Sequence, residues 1–261
     1  MKTPFATAPL VQALISARTT GVRLSEAQLQ RPTSLSYAMA VQARVYEAIA
    51  TSVAGWKVAI GPSARPVAAP LHPLVRDTTQ PLPWRPGVGL EVEFAIELGA
   101  NLPFRPSKDY SRDEIEAAVS RVYLGVEIID SRLVEGSGSP FVLFLADSLA
   151  NGGYVLGPPI RPEFLCPDNV QALAIFAGTK PIYSGQACYP GGDPLAPLVA
   201  YVNNPSDQLG GLRAGQIITT GSLCGMIPLQ APAQLTIRLD DTIAMLLEFT
   251  SDTGGELDKL V

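Results

Sequence analysis

The segment GLEVEFAIELG, residues 89–99, constrains the fold more than any other, because apolar side chains occupy every second position. A period of two predicts a β-strand with its apolar residues on one face and Glu91, Glu93 and Glu97 on the other. Two interpretations are open. The segment is either an edge strand with a wet acidic face or a strand whose acids converge on a cation, with Glu91 and Glu93 about 6.6 Å apart.

The remainder of the chain favours an α+β fold. Residues 1–50 have helical periodicity, whereas the later residues alternate and are rich in turn residues, with 24 prolines and 23 glycines in the whole chain. We expect a helical N-terminal cap, 1–50, on a β-rich catalytic body of mixed sheet, 51–261, forming one structural unit.

Local patterns place several element boundaries. We expect a helix capped by Thr33 and Ser34, a capping box at 111–114 that opens a helix to about Val122, and a helix with Asp193 as N-cap and Pro194 at its first position. We also expect a proline-rich connection over 61–88, a hairpin turn at 178–181, and a turn at Asp240 and Asp241.

Composition narrows the partners. A net charge of −5 gives no electrostatic reason to expect nucleic acid or an anionic membrane. The three cysteines lack CxxC spacing, which indicates a reducing compartment without a disulfide framework or a zinc site. We interpret the N-terminal segment as an amphipathic helix and not a signal peptide, and find no apolar run long enough to cross a membrane. The prediction is a cytoplasmic homo-oligomer.

A further acid, Glu127, lies among apolar residues in VEIIDSR, residues 126–132. A buried carboxylate must be paired, hydrogen-bonded or bound to a metal. It forms either a salt bridge to Arg132 or Arg121, or a three-carboxylate set with Glu91 and Glu93. Ligation by oxygen atoms alone is typical of Mg²⁺ or Mn²⁺.

Lys57 is similarly isolated in the predicted strand GWKVAIG, residues 55–61. It either extends its ammonium to solvent along its apolar stem, or lies near the cation. In the second case the divalent charge would lower its pKa and make it a base or proton shuttle.

In order, the chain contains GWKV, EVE, VEIIDSR, DSLANGGYVLG and TGSL, beginning at Gly55, Glu91, Val126, Asp147 and Thr220. This ordered set resembles the 2-keto-4-pentenoate hydratase group of the fumarylacetoacetate hydrolase superfamily, of which 4-oxalocrotonate decarboxylases are close relatives. The resemblance extends over most of the chain, although no single motif is specific.

The resemblance implies a β-rich roll like the C-terminal domain of that superfamily. It implies Mg²⁺ or Mn²⁺ held by Glu91, Glu93 and Glu127, and a small 2-hydroxy-dienoate or 2-oxo acid as substrate. Lys57 matches the active-site lysine, and Asp77 matches less closely an aspartate that positions water or moves protons. In TGSL, Ser222 and Leu223 match substrate-binding positions, although Ser222 also fits a loop serine that satisfies its own turn.

The chain departs from the group's pattern at Trp56, Ser148 and 192–194, so the exact substrate stays open. Hydration of a 2-hydroxy-2,4-dienoate to a 4-hydroxy-2-oxo acid, in the catabolism of aromatic compounds, is the first hypothesis. The alternatives are decarboxylation of a 4-oxalocrotonate-like dicarboxylate, C–C bond hydrolysis, and a non-catalytic paralogue.

The lone His72 lies in the proline-rich connection and weighs against a histidine-dependent hydrolase. A basic residue facing the substrate would favour a dicarboxylate; the candidates are Arg65, Arg76 and Arg85.

Overall fold

The computed structural model describes residues 8–189, 191–240 and 242–251, with the side chains of 242–244 left aside. Asp241, part of the predicted turn, lies outside the described residues, whereas Asp240 lies in a turn directly after the strand that ends at Leu239 and has a positive φ of 53°. The helices are α1 (Ala8–Thr20), α2 (Leu35–Glu47), α3 (Arg112–Ala117), α4 (Phe141–Ala146) and α5 (Ala196–Asn203). No helix within the described ranges is long and apolar enough to cross a membrane.

The helix starts follow the sequence more closely than the helix ends. Ser34 caps α2 by accepting a hydrogen bond from the Tyr37 amide, as predicted. The capping box of α3 is also confirmed, because the Ser111 hydroxyl accepts from the Glu114 amide and the Glu114 carboxylate accepts from the Ser111 amide. However, α3 ends at Ala117, not near Val122, because the chain from residue 119 pairs with a neighbouring strand.

The prediction that Asp193 is the N-cap of α5 was wrong. Its side chain instead accepts from the Leu195 amide, and its carbonyl accepts from Ala196, so it closes a turn before the helix. The N-cap is Leu195, and Pro197 takes the early helical position expected for Pro194.

In the described part of the chain, thirteen strands form two sheets of mixed direction. The strands are β1 (Gly55–Ile60), β2 (Pro66–Pro70), β3 (Leu74–Val75), β4 (Leu82–Trp84), β5 (Gly89–Leu98), β6 (Val119–Ile129), β7 (Asn151–Ile160), β8 (Gln171–Ala177), β9 (Lys180–Ala187), β10 (Ile217–Ser222), β11 (Ile227–Pro228), β12 (Gln234–Leu239) and β13 (Thr242–Ser251). The larger sheet has the order β2-β1-β10-β5-β6-β7-β3, with β11 also on β5, and the smaller has the order β4-β13-β12-β8-β9.

Strand β5 lies in the interior of the larger sheet, between β10 and β6, so the edge-strand interpretation was wrong. Its apolar residues, such as Val92 and Ile96, enter the main core, which also contains Ile175 and Ile237 of the smaller sheet. Glu91, Glu93 and Glu97 therefore project from the opposite face.

A second core holds the helical N-terminal part against the sheet. Leu14 of α1 and Met39 of α2 pack in one cluster with Val67 of β2 and Leu145 of α4. The proline-rich connection is not the structureless loop that the sequence suggested. It contains β2, β3 and β4, each of which pairs with a strand of one of the sheets.

Candidate metal centre

Three carboxylates converge on the face of β5 that is opposite the main core. Glu91 is the direct cross-strand partner of Glu127 in β6, and Glu93 lies one pleat further along β5. One carboxylate oxygen from each residue lies within 4.8 Å of the other two. We call these three acids and Lys57 the carboxylate cluster. The strand register brings together the set that the sequence predicted.

Lys57 joins the cluster from β1. Its Nζ is 2.7 Å from Glu127 Oε2 and 3.3 Å from Glu91 Oε2, so it does not extend to solvent as an isolated lysine would. Glu127 accordingly pairs with neither arginine that the sequence offered. Burial disfavours the ammonium, but the charges of Glu127, Glu91 and Glu93 outweigh that effect and raise the pKa of Lys57. The fall in pKa expected near a divalent ion stays a prediction.

Glu93 is fully buried, and neither of its oxygens has a hydrogen-bond partner among the described residues. Burial raises its pKa well above the usual range, and the charge of Glu127 adds to the shift. The Thr219 hydroxyl faces Glu93 and opposes the shift weakly, without reaching hydrogen-bonding geometry. The pKa of Glu127 is also raised, first by burial, with Lys57 opposing.

These features fit a divalent cation. Three carboxylates and one ammonium carry a formal charge of −3 + 1 = −2, which a divalent ion would neutralise. The ligand atoms are all carboxylate oxygens, as Mg²⁺ and Mn²⁺ prefer, and the unpartnered oxygens of Glu93 would gain an electrostatic partner. Access is from the side of Lys57 and Glu91, whose side chains are 13% and 18% exposed.

Asn151, at the start of β7, was missed by the sequence analysis. Its side-chain amide donates to Glu127 Oε1 at 3.0 Å, and its own oxygen accepts from the His72 backbone amide at 3.0 Å. The chain reaches Asn151 through Ser148, Leu149 and Ala150, three successive residues with positive φ between 53° and 64°. Such strain in non-glycine residues is typical of functional sites. Ser148 is one of the positions at which the chain departs from the group's pattern. That departure drew attention to this turn, but it did not show that the turn positions Asn151.

Tyr154 was also missed, although it lies within a recognised motif. It is the cross-strand partner of Glu127, is fully buried, and its hydroxyl lacks a hydrogen-bond partner among the described residues. Burial raises the pKa of Tyr154 well above its usual range, and the charges of Glu93 and Glu127 add to the shift. The surroundings of its hydroxyl depend on the pairing of β7 with β6, so only the structure reveals them.

The structure does not bring Asp77 to the cluster. Asp77 is exposed, and its carboxylate accepts from the Thr79 amide at 2.9 Å and from the Thr79 hydroxyl at 2.6 Å. These hydrogen bonds lower the pKa of Asp77. The residue thus stabilises a surface turn after β3, and its catalytic role stays a prediction.

Ser222 is the cross-strand partner of Glu93, at the end of β10. Its hydroxyl accepts from the Cys224 amide and donates to the Gly225 carbonyl, as in a serine that satisfies its own turn. The Leu223 amide donates to the Val92 carbonyl at 2.8 Å, and the Leu223 side chain is buried. Substrate binding by these two residues stays a prediction.

The proline-rich connection contributes chiefly through its backbone. His72 reaches the cluster through its amide and Asn151, and its ring lies edge-on to Tyr46. Arg65 and Arg76 are exposed, and Arg85 Nε is 3.5 Å from Asp130 Oδ2. A separate cavity of about 610 Å³, near Phe104 and Tyr201, is lined by none of the three acids.

Comparison with solved structures identifies the fold class. The 4-oxalocrotonate decarboxylase from Pseudomonas putida G7, complexed with calcium and acetate, superposes with a TM-score of 0.73 at 17% identity, over 96% of this chain and 99% of that one. It superposes equally well when complexed with magnesium and adipate. A fumarylacetoacetate hydrolase family protein of yeast has a TM-score of 0.54 at 15% identity, over 77% of this chain and 94% of that one. The chain therefore has the α+β fold of the fumarylacetoacetate hydrolase superfamily.

Sequence comparison supports the narrower group. The 2-keto-4-pentenoate hydratase of Paraburkholderia xenovorans (strain LB400) is 27% identical over 164 residues, and 2-keto-4-pentenoate hydratase 3 of Pseudomonas putida matches to the same extent. The match takes in 62% of this chain but only 59% of the length of these relatives. No family model matches the chain. The comparisons support the resemblance to the 2-keto-4-pentenoate hydratase and 4-oxalocrotonate decarboxylase group.

Proposed function

We propose that this chain is a Mg²⁺- or Mn²⁺-dependent lyase that hydrates a 2-hydroxy-2,4-dienoate, such as 2-hydroxypenta-2,4-dienoate, in the catabolism of aromatic compounds. The observation that carries the proposal is the convergence of Glu91, Glu93 and Glu127 within 4.8 Å, with Lys57 beside them. The names of the curated relatives support the choice of reaction.

In this proposal Glu91, Glu93 and Glu127 hold the divalent ion. When bound, the ion supplies Lewis-acid stabilisation for negative charge on the substrate's 2-oxygen. Asn151 orients Glu127 through its hydrogen bond, and Glu93 contributes a carboxylate that has no hydrogen-bond partner within the described ranges. The surrounding buried side chains, including Tyr154, keep water from the ligand oxygens on the closed side.

Lys57 is the proposed proton carrier. Ketonisation of the dienoate moves a proton from the 2-hydroxyl to C5, and hydration then places hydroxide on C4 and a proton on C3. A group that both accepts and returns a proton is therefore needed. Lys57 Nζ lies beside two of the three acids, on the accessible side of the cluster. We assign these transfers to Nζ, with Asp77 as a second candidate.

The fold also supports decarboxylation as a second candidate, because the solved decarboxylase matches nearly the whole chain. That enzyme was solved with the dicarboxylate adipate. Both reactions need the same charge stabilisation at the 2-oxygen, so the metal centre does not choose between them. The choice depends on whether the pocket accepts a second substrate carboxylate.

The test follows the ultraviolet absorbance of freshly generated 2-hydroxypenta-2,4-dienoate with metal-stripped protein, before and after addition of Mg²⁺. We expect metal-dependent loss of the dienoate and formation of 4-hydroxy-2-oxopentanoate. If the dienoate persists while a 4-oxalocrotonate-like dicarboxylate releases CO₂, the chain is a decarboxylase. If neither substrate reacts, the lyase proposal is wrong.

A matched pair of variants tests the role of the acids. Glu93→Gln removes a proposed ligand, whereas Glu97→Gln changes a glutamate on the same strand and the same face that accepts instead from the Tyr123 hydroxyl. We expect Glu93→Gln to abolish metal-dependent turnover and Glu97→Gln to retain it. Equal activity in the two variants would show that the convergence of the acids has no catalytic role.

A further inference from the structure

Tyr154 and Gly125 form an arrangement in which the Tyr154 hydroxyl has no role in the proposed chemistry. Gly125 in β6 is the direct cross-strand partner of Glu93, so both residues share one face of the sheet. A Cβ added at Gly125 would lie 2.2 Å from the Tyr154 hydroxyl oxygen. The hydroxyl therefore occupies the space in which the side chain opposite Glu93 would begin.

Two buried polar groups consequently face the same small volume without partners. The Tyr154 hydroxyl and both oxygens of Glu93 are fully buried, and none has a hydrogen-bond partner in the described part of the chain. The carboxylates of Glu93 and Glu127 are the charges that act on the hydroxyl. Buried donors and acceptors in proteins are normally satisfied, so this pair calls for an explanation.

The other two acids already have partners of the required kind. Glu127 accepts from Asn151 at 3.0 Å, and Glu91 accepts from Lys57 at 3.3 Å. Carboxylates that bind a metal are normally held by a hydrogen bond from a neighbouring donor, which fixes their orientation and tunes their affinity. Among the described residues Glu93 lacks such a donor, and the hydroxyls of Tyr154 and Thr219 are the unused donors near it. Of these two, the Tyr154 hydroxyl occupies the space directly opposite Glu93, beside Gly125.

We propose that Tyr154 is a positioning residue of the metal centre, whose hydroxyl donates a hydrogen bond to the Glu93 carboxylate when a divalent ion is bound. Gly125 is the residue that makes room for it. The inference rests on the metal centre of the proposed function. It adds Tyr154 as the hydrogen-bond donor to Glu93, so that each of the three acids has its own donor.

The test compares Tyr154→Phe with Tyr201→Phe, each of which removes one hydroxyl from a fully buried tyrosine. The Tyr201 hydroxyl donates to Asp207 at 2.9 Å, in a different part of the fold. Mg²⁺ and Mn²⁺ affinities are measured by calorimetry on metal-stripped protein, and unfolding midpoints are measured in chelator. Phenylalanine keeps the ring, so packing is preserved in both variants.

We expect Tyr154→Phe to weaken Mg²⁺ and Mn²⁺ binding about tenfold, which is typical of losing a donor behind a metal ligand. Its unfolding midpoint in chelator should stay the same or rise, because the hydroxyl it loses has no hydrogen-bond partner among the described residues. Tyr201→Phe should show the reverse, with a lower midpoint and unchanged affinity. Gly125→Ala, which displaces the hydroxyl, should also weaken binding.

The outcomes separate this inference from the proposed function. If the unmodified protein binds neither ion, the metal centre is absent and both proposals are wrong. If it binds them and Tyr154→Phe binds within twofold as well, only the role of Tyr154 is overturned. Equal weakening in Tyr154→Phe and Tyr201→Phe would also overturn it, since the effect would then be general to buried hydroxyls.

Discussion

Two buried charged clusters lie on either side of Asn151, and they differ in how fully their polar atoms are paired. The arginine cluster consists of Arg132, Asp147 and Ser131, each at most 9% exposed. Both Asp147 oxygens accept hydrogen bonds, from the Ser131 hydroxyl and from the backbone and guanidinium of Arg132. In the carboxylate cluster, both oxygens of Glu93 lack a hydrogen-bond partner among the residues that the structure describes.

We interpret this difference as the one between a structural cluster and the proposed metal centre. A buried ion pair that satisfies its own hydrogen bonds fixes the chain around it and needs no ligand. A buried cluster with an excess of negative charge is unfavourable by itself, and a cation converts the same geometry into a favourable one. Asn151 joins the two clusters, because its side chain holds Glu127 while its carbonyl accepts from Arg132 at 2.8 Å.

The largest expected effect is on stability, from Asp147→Asn. This change leaves the buried Arg132 guanidinium without its counter-charge, and we expect the free energy of unfolding to fall by about 3–5 kcal/mol. Urea unfolding in chelator measures it. The control is Asp193→Asn, which breaks the more exposed pair with Arg112 and should cost less than about 1 kcal/mol. Similar losses in both variants would refute the structural role of the arginine cluster.

The second prediction concerns the residue between the clusters. Asn151→Leu removes the donor to Glu127 and the acceptor for the His72 amide. We expect the free energy of unfolding to fall by about 1–3 kcal/mol, and Mg²⁺ affinity to fall about 10- to 100-fold. Asn203→Leu is the control, because the Asn203 side chain bridges the backbone of Tyr110 away from the acids. Asn203→Leu should lower the free energy of unfolding and leave Mg²⁺ affinity unchanged. A loss of Mg²⁺ affinity in Asn203→Leu would contradict the role assigned to Asn151.

The acids of the site were predictable from the sequence, but their hydrogen-bond partners were not. Alternation in 89–99 and the isolation of Glu127 identify a carboxylate set without any knowledge of the neighbouring strands. Asn151 and Tyr154 reach the same face only through the register between β6 and β7, and a slip of one residue would reverse that face. Register depends on contacts between distant segments, which no local pattern encodes.

The same limit explains the errors in the fold. The proline-rich connection forms β2, β3 and β4 because distant strands supply the hydrogen-bond partners, so tertiary pairing overrides a weak local tendency. Asp193 has the right residue type for an N-cap, but an aspartate equally stabilises a turn. Capping at Ser34 and Ser111 was predictable because every contact lies within three residues.

The third prediction measures the metal-free carboxylate cluster itself. Glu93→Gln removes a buried carboxyl group whose ionised form is disfavoured by burial and by the charge of Glu127, so we expect the free energy of unfolding in chelator to rise by about 1 kcal/mol. The same variant should bind Mg²⁺ more than about 100-fold more weakly, since losing a ligand costs more than losing the donor behind one. Glu97→Gln, which loses its bond from Tyr123, should not be stabilised. If Glu93→Gln lowered the free energy of unfolding, the carboxylate cluster would have a structural role like that of the arginine cluster.

The smallest expected change in stability and metal affinity is for Asp77→Asn, which tests a residue that the structure leaves outside both clusters. Its carboxylate is exposed and bonded to Thr79, so we expect the unfolding midpoint to be unchanged and Mg²⁺ affinity to stay within twofold. With Lys57 as the proton carrier, we expect kcat to be retained as well. If Asp77 instead moves protons during turnover, kcat will fall by about 10²-fold or more with both other measurements unaffected.

Thr79→Val provides the control for Asp77, because it removes the hydroxyl that bonds the carboxylate and keeps the carboxylate itself. That variant should retain kcat. Equal losses of kcat in Asp77→Asn and Thr79→Val would assign the effect to the shape of the turn. An unchanged kcat in Asp77→Asn would remove Asp77 from the site and leave Lys57 as the proton carrier, which would confine the chemistry of this chain to its carboxylate cluster.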